Sequence, residues 1–285
     1  MAAFINEILF PTDFSDNAQH ALPFVLDLAR RSKAKVRLFH SIEEVYELAP
    51  LQSDFKTKAN RKVKLLLQDL REGIVHKEEY TGIDIQLDSM SGLPVFSIME
   101  EVNSNPSISL IVMGTKGATG LKKVLFGSVT SDVILRSNIP VLAIPQHIPF
   151  QQPSNIIYAT DYRKGDMRSL DQLTQWAKLY NATLKVVHVA PDLNLEEDIK
   201  FRGFRDLCEE RISYKKIGYD LIIEDNFHAG IAIYLEQNPQ SILSMTRYSK
   251  NVFSSIFKQS HSKDLSCYTK APLLVLIGEE ARQGI

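Results

Sequence analysis

The chain has 285 residues, which at roughly 150 residues per domain fits two domains. Apolar residues make up 44% and charged residues 24%, a balance that excludes a disordered tail protein and leaves material for one or two cores. The 33 basic and 34 acidic residues give a net charge of -1, so bulk electrostatics supports neither a nucleic-acid coat nor a polybasic membrane binder.

Apolar runs predict strands near Ile8–Thr12, Val36–His40, Ile83–Leu87, Leu110–Met113 and Val141–Ile144. Helical spacing predicts helices near Asn17–Arg31, Phe55–Glu72, Pro94–Val102 and Ser128–Ser137. Ser15 or Asp16 can cap the first helix, and Pro23 inside it should kink it or split its start. Strands alternating with helices imply βαβ units and a parallel sheet covered on both faces. The stretch from Pro145 to Pro153, with three prolines and no helical period, reads as a linker. Cys208 and Cys267 are the only cysteines, so neither a disulfide framework nor a cysteine-rich zinc site is expected, and a reducing cytoplasm is the default location. No apolar run is long enough to span a bilayer. Glu7 and the lack of an early Lys or Arg do not fit a signal peptide.

The chain repeats itself. Ile8-Leu9-Phe10-Pro11-Thr12-Asp13 recurs 148 residues later as Ile156-Ile157-Tyr158-Ala159-Thr160-Asp161. The same offset carries Leu22, Val25, Leu28 and Ala29 onto Leu170, Leu173, Trp176 and Ala177, one face of a helix, and His40 onto His188. Near the end of each copy the offset falls to 132, as Asn138-Ile139-Pro140-Val141-Leu142 matches Lys270-Ala271-Pro272-Leu273-Leu274. The second copy is therefore 16 residues shorter, the loss lying between its second and last strands. Duplication sets the expected domains at 1–147 and 154–285.

In an open parallel sheet, ligands bind beyond the carboxyl ends of the strands where the winding reverses. For a strand order 3-2-1-4-5 that point lies between strands one and four. Pro11-Thr12-Asp13 follows strand one, and Met113-Gly114 followed by a glycine-rich loop ends strand four. Gly114, Gly117 and Gly120 let the backbone take φ > 0 and come close to a ligand. Gly127-Ser128 opens a helix, whose unpaired N–H groups favour an anion. The Ser128 and Thr130 hydroxyls add donors, and Lys116, Lys122 and Lys123 add positive charge. The spacing Gly-x2-Gly-x9-Gly-Ser is neither a Walker A loop nor the GxGxxG fingerprint.

Pro11-Thr12-Asp13 paired with Gly114-x2-Gly117-x9-Gly127-Ser128 resembles the universal stress protein family, in its ATP-binding class. His40 near the end of strand two and Asn138-Ile139-Pro140-Val141-Leu142 before the last strand extend the likeness, so the chain resembles a tandem member. The resemblance implies two Rossmann-like (HUP-type) α/β domains, each a five-stranded parallel sheet. It implies ATP as ligand, with Mg²⁺ as its usual companion, and dimerisation through the last strand. By position, Asp13 would face the adenosine, with Thr12 and Ser41 lining the adenine pocket. Met113 and Gly114 would pack near adenine and ribose, and Gly117, Gly127, Ser128, Val129 and Thr130 would hold the phosphates. An apolar residue is usual where Ser41 stands. His40 reads equally as a satisfied histidine at a strand end.

In the second copy an offset of 132 turns Gly114, Gly117, Gly120 and Gly127 into Thr246, Ser249, Val252 and Gln259, while Ser128 remains a serine, Ser260. Side chains now stand where bare backbone was needed, and β-branched Val252 resists φ > 0. The second copy is therefore expected not to bind ATP in the same way, although Asp161 and Gly230, matched to Asp13 and Gly92, remain. The apolar strands at Val141–Ile144 and Leu273–Ile277 are expected to pack the copies together as an internal pseudo-dimer. The leading function is a nucleotide-binding regulatory protein with one ATP per chain, acting on a protein partner and without nucleic acid or membrane. A slow ATPase or nucleotide-dependent transferase is the first alternative, although no placed acid cluster, SGGxDS or HxGH string occurs. A ligand-free scaffold is the second.

Overall fold

The computed structural model describes residues 4–43, 52–115, 127–248 and 270–282. The chain forms two compact units, the first running to Ser137 and the second taking up Asn138 onward. Unit 1 contains β1 (Glu7–Pro11), α1 (Asp16–Ser32), β2 (Lys35–Ile42), α2 (Gln52–Val75), β3 (Ile85–Ser91), α3 (Pro94–Ser104), β4 (Ile108–Gly114) and α4 (Ser128–Arg136). Its strands lie in the order β3-β2-β1-β4, every pair parallel. Ile8, Leu9 and Phe10 of β1 and Leu110, Ile111 and Val112 of β4 are all buried, because a central parallel strand has helices on both faces. Ala21, Val25, Leu28 and Ala29 form the matching buried stripe of α1. Ser15 caps that helix, accepting from the Ala18 N–H at 3.3 Å. The expected split at Pro23 does not occur: α1 runs unbroken through it.

Unit 2 contains β5 (Val141–Ile144), β6 (Asn155–Ala159), α5 (Asp166–Tyr180), β7 (Thr183–Ala190), α6 (Leu195–Arg211), β8 (Ile217–Ile223), α7 (Phe227–Gln237), β9 (Ser241–Arg247) and β10 (Leu273–Ile277), with a helical turn at Glu279–Arg282. The order is β5-β10-β9-β6-β7-β8, so β8-β7-β6-β9-β10 realises the expected 3-2-1-4-5 winding with parallel pairs throughout. β5, the strand that ends the first repeat in sequence, pairs antiparallel with β10, with Leu274 opposite Leu142. Leu273 to Ile277 are buried, so neither apolar strand presents a bare edge there.

Strand registers align the two copies residue by residue. Ile8 lies opposite Val36 and Leu110 in unit 1, and Ile156 opposite Leu184 and Ile242 in unit 2. Val36 opposite Ile85 becomes Leu184 opposite Ile217. The offset thus changes from 148 to 132 between the second and third strands, where α2 of 24 residues is replaced by α6 of 17. The alignment corrects one match: Gly92 follows β3, whereas Gly230 lies inside α7, and register places Glu224 at the position equivalent to Gly92. Backbone conformation repeats as well. Among the described residues, Phe14 (φ 60°) and Tyr162 (φ 55°) form one left-handed pair, and Lys33 (φ 59°) and Asn181 (φ 54°) another. Lys33 and Asn181 each end the first helix of their copy, as the left-handed residue of a helix C-terminus does.

Each unit also buries a titratable feature. In unit 1, Arg37 on β2 reaches Glu7 at 2.6 Å, Glu101 at 3.0 Å and Asp88 at 3.1 Å, and donates to Gln86 at 2.8 Å. Ser107 donates to the other Glu7 oxygen at 2.6 Å. Burial, then the charge of Asp88, raises the Glu101 carboxyl above its ordinary range against the opposing pull of Arg37. In unit 2, Cys208 is a buried free thiol, and desolvation pushes it up to about 12, so it stays protonated and unreactive. Cys267 lies outside the described residues.

Candidate functional site

Because neighbouring strands of unit 1 run parallel, the exits of β1, β2 and β4 share one edge of the sheet, and the starts of α1, α3 and α4 meet them there. A cavity of about 520 Å³ opens at this edge, within the usual range of ligand sites. Pro11, Thr12 and Asp13 line it at the end of β1, and Phe39, His40, Ser41 and Glu43 at the end of β2. Met113 and Gly114 line it from β4, and Gly127, Ser128, Val129 and Thr130 from the start of α4. Asn17 and Ala18 of α1 and Pro94 and Ile98 of α3 complete the wall. Of the residues singled out from sequence, Lys116, Gly117, Gly120, Lys122 and Lys123 lie outside the described residues.

Hydrogen bonds fix the β1 exit. The Thr12 N–H donates to the Phe39 carbonyl at 2.8 Å, and the Thr12 Oγ1 accepts from the Phe14 N–H at 3.0 Å. His40 Nδ1 lies 2.7 Å from the Thr12 carbonyl. A carbonyl only accepts, so Nδ1 carries the hydrogen. The Phe14 ring lies on His40 with centroids 4.7 Å apart. Unit 2 repeats the arrangement: His188 Nδ1 lies 2.6 Å from the Thr160 carbonyl, and Tyr162 stacks on His188 at 4.2 Å. The clasp occurs in both copies irrespective of the glycine loop, which marks His40 as a residue that holds the backbone in place.

Asp13 is exposed at the cavity wall, and its Oδ1 accepts from the Ser15 N–H at 3.0 Å and the Ser15 hydroxyl at 2.5 Å. It therefore orients the cap of α1 as well as facing the cavity. Ser41 donates its hydroxyl to the Gly92 carbonyl at 2.8 Å, so its hydrogen is engaged within the protein. The Thr130 hydroxyl likewise donates to the Gly114 carbonyl at 2.8 Å. This corrects the expectation that Thr130 offers its hydroxyl hydrogen to a ligand: it ties the start of α4 to the end of β4 instead. Gly114 also differs from expectation. It ends a strand in ordinary extended backbone, and its requirement is close approach: a Cβ there would collide with the Asn17 Nδ2 and lie 3.0 Å from the Asn17 carbonyl oxygen. Gly127 caps α4 with φ −61°, again outside the left-handed region.

Three helix starts thus surround one cavity, each with N–H groups that have no carbonyl one turn back. Their dipoles add a positive potential. The described lining includes no Lys or Arg, and its carboxylates, Asp13 and Glu43, are exposed. Buried Phe39, Met113 and Ile98 give the lining an apolar surface. The site can therefore hold an anionic group at the α4 start and a flat apolar group beside Met113. Asn17, Pro94, Ile98 and Glu43 escaped the sequence reading, because they follow a cap, a turn or a strand end and carry no motif of their own. Pro94 opening a helix two residues after Gly92 was the one available signal.

The universal stress protein family model matches residues 5–145. Universal stress protein MJ0577 from Methanocaldococcus jannaschii is 30% identical over 158 residues, covering 50% of this chain and 97% of that protein. The chain belongs to the universal stress protein family. Universal stress protein YxiE from Bacillus subtilis is 25% identical over 150 residues, 49% of this chain and 98% of that protein. A solved universal stress protein from Archaeoglobus fulgidus superposes with a TM-score of 0.75 at 20% identity, covering 96% of this chain and 97% of that one. That likeness extends the family fold over both halves of the chain. No helix among the described residues is long and apolar enough to cross a membrane.

Proposed function

We propose that this universal stress protein binds one adenine nucleotide, ATP, in the unit 1 cavity and acts as a nucleotide-responsive regulatory protein. The observation that carries the reading is the convergence of three helix starts and the bare Gly114 and Gly127 backbone on one cavity at the switch point of a parallel sheet. The α4 start would take the phosphates through the N–H groups of Ser128 and Val129. The Met113 wall and the exit of β2 would take the base, and Asp13 would face the sugar. Lys116 and Gly117, outside the described residues, belong to the same proposed set. No group of three metal-ligating side chains occurs among the described residues. A Mg²⁺ accompanying ATP would therefore be held chiefly by phosphate oxygens and water.

A regulatory role follows if ATP favours one conformation read by a partner, by no more than its differential affinity for the two. Denaturing freshly purified protein and separating the released small molecules tests the reading. Adenine nucleotide is expected at up to one equivalent per chain. Absence of nucleotide, together with no uptake of added ATP, overturns it. A steady turnover lost in Asp13→Ala would favour the ATPase alternative.

A further inference from the structure

The same crevice in unit 2 is built from different residues. Register places Tyr158, Thr160, Asp166, Ser169 and Thr246 where unit 1 has Phe10, Thr12, Ala18, Ala21 and Gly114. Asp166 is 1% exposed and accepts four hydrogen bonds. They come from the Tyr158 hydroxyl at 2.6 Å, the Thr160 hydroxyl at 2.5 Å, the Arg163 N–H at 2.9 Å and the Tyr248 hydroxyl. Thr246 joins the set, lying 2.9 Å from the Tyr158 hydroxyl and donating to Ser169 at 2.7 Å.

Tyr248 directly follows β9, the fourth strand of its copy. Its ring lies against two glycines. A Cβ on Gly165 would meet the ring at 2.6 Å, and one on Gly278 would meet it at 2.5 Å. The Arg163 guanidinium lies 5.1 Å over the ring centroid, a cation–π distance. The Gly278 N–H donates to the Arg247 carbonyl at 3.0 Å and so anchors the backbone beside the tyrosine. Desolvation, then the hydrogen bond and charge of Asp166, push the Tyr248 hydroxyl well above its ordinary range, so it keeps its proton and donates.

A ring slot without Cβ atoms, floored by a buried carboxylate that takes a hydroxyl hydrogen, has the chemistry of a binding site for a phenol. We propose that Tyr248 is the resident occupant of that site: unit 2 fills its crevice with its own side chain, and the slot accepts a free phenol once the tyrosine ring is removed. The degenerate copy is thus closed from within by Tyr248 on Asp166, in addition to lacking the glycines of a phosphate loop. The proposal concerns unit 2 alone and does not rest on ATP as the ligand of unit 1.

Thermal unfolding of the full chain with and without phenol tests it. Tyr248→Ala is expected to lower the melting temperature by roughly 5–10 °C. Phenol at tenfold excess over its dissociation constant should then raise that melting temperature by about 3 °C while leaving the wild-type protein and Tyr248→Phe unmoved. Phenol shifting none of the proteins, or all of them equally, overturns the proposal. Should Tyr248→Ala fail to fold, Gly165→Ala provides the second test, since φ at Gly165 is −72° and alanine adopts it freely. The added methyl should eject the ring and make Tyr248 open to nitration by tetranitromethane, read by peptide mass spectrometry. Equal protection of Tyr248 in wild type and Gly165→Ala contradicts a filled slot.

Discussion

Ser128→Asp is expected to weaken ATP binding by roughly 100-fold while leaving the melting temperature unchanged or slightly raised. Ser128 opens α4 at the cavity wall and is exposed. A carboxylate in the first turn of a helix favours the helix by about 0.3–1 kcal/mol through its dipole, so the fold gains if anything. The same carboxylate repels an anionic ligand. Two unit charges 4 Å apart at a partly exposed site repel by about 4 kcal/mol, and screening and a longer separation reduce this to roughly 2–3 kcal/mol. Stability and affinity therefore move in opposite directions, which separates a lost ligand contact from a damaged fold. Calorimetric titration and a melting curve on the same preparation give both numbers. Unchanged affinity would remove the α4 start from the site.

Arg37→Met is expected to destabilise the protein by about 3–5 kcal/mol at pH 7. Arg37, Glu7 and Glu101 have side chains only 13%, 3% and 5% exposed. Removing the cation leaves two buried carboxylates facing Asp88 without a counter-charge. The Glu101 carboxyl, already raised by burial, then rises further above its unfolded value, so the folded variant binds more protons than the unfolded chain. Its stability must fall as pH rises through that window. The deficit against wild type should therefore shrink when denaturant melts are run near pH 4.5 instead of pH 7. A deficit independent of pH would mean that lost packing of the Arg37 stem, and not charge, is the cause.

Much of the fold was legible because the chemistry is local. Ile8–Phe10 and Leu110–Met113 are continuous apolar runs, which only a doubly covered strand can bury. The Gly127-Ser128 helix start and the Asp13 turn are likewise written in adjacent residues. The Arg37 network was not legible, because Glu7, Arg37, Asp88 and Glu101 come from three strands and a helix that meet only in the folded sheet. The Tyr248–Asp166 pair spans 82 positions for the same reason. The match of Gly230 to Gly92 failed because the change of offset lies between the second and third strands, a point only the strand registers reveal. The roles of Gly114 and Thr130 were misread because glycine and threonine each serve more than one purpose. Close packing on Asn17 and a hydroxyl bond to a carbonyl are facts of geometry.

The chain is a duplicated fold in which one copy keeps an open cavity at its switch point and the other carries a tyrosine anchored on a buried aspartate at the equivalent place. The proposed single ATP site per chain rests on that difference. Titration of ATP into the full chain, nucleotide first removed, measures it directly. One equivalent bound per chain, with affinity reduced about 100-fold in Ser128→Asp, is the predicted result. Two equivalents, or one that survives Ser128→Asp undiminished, would contradict it.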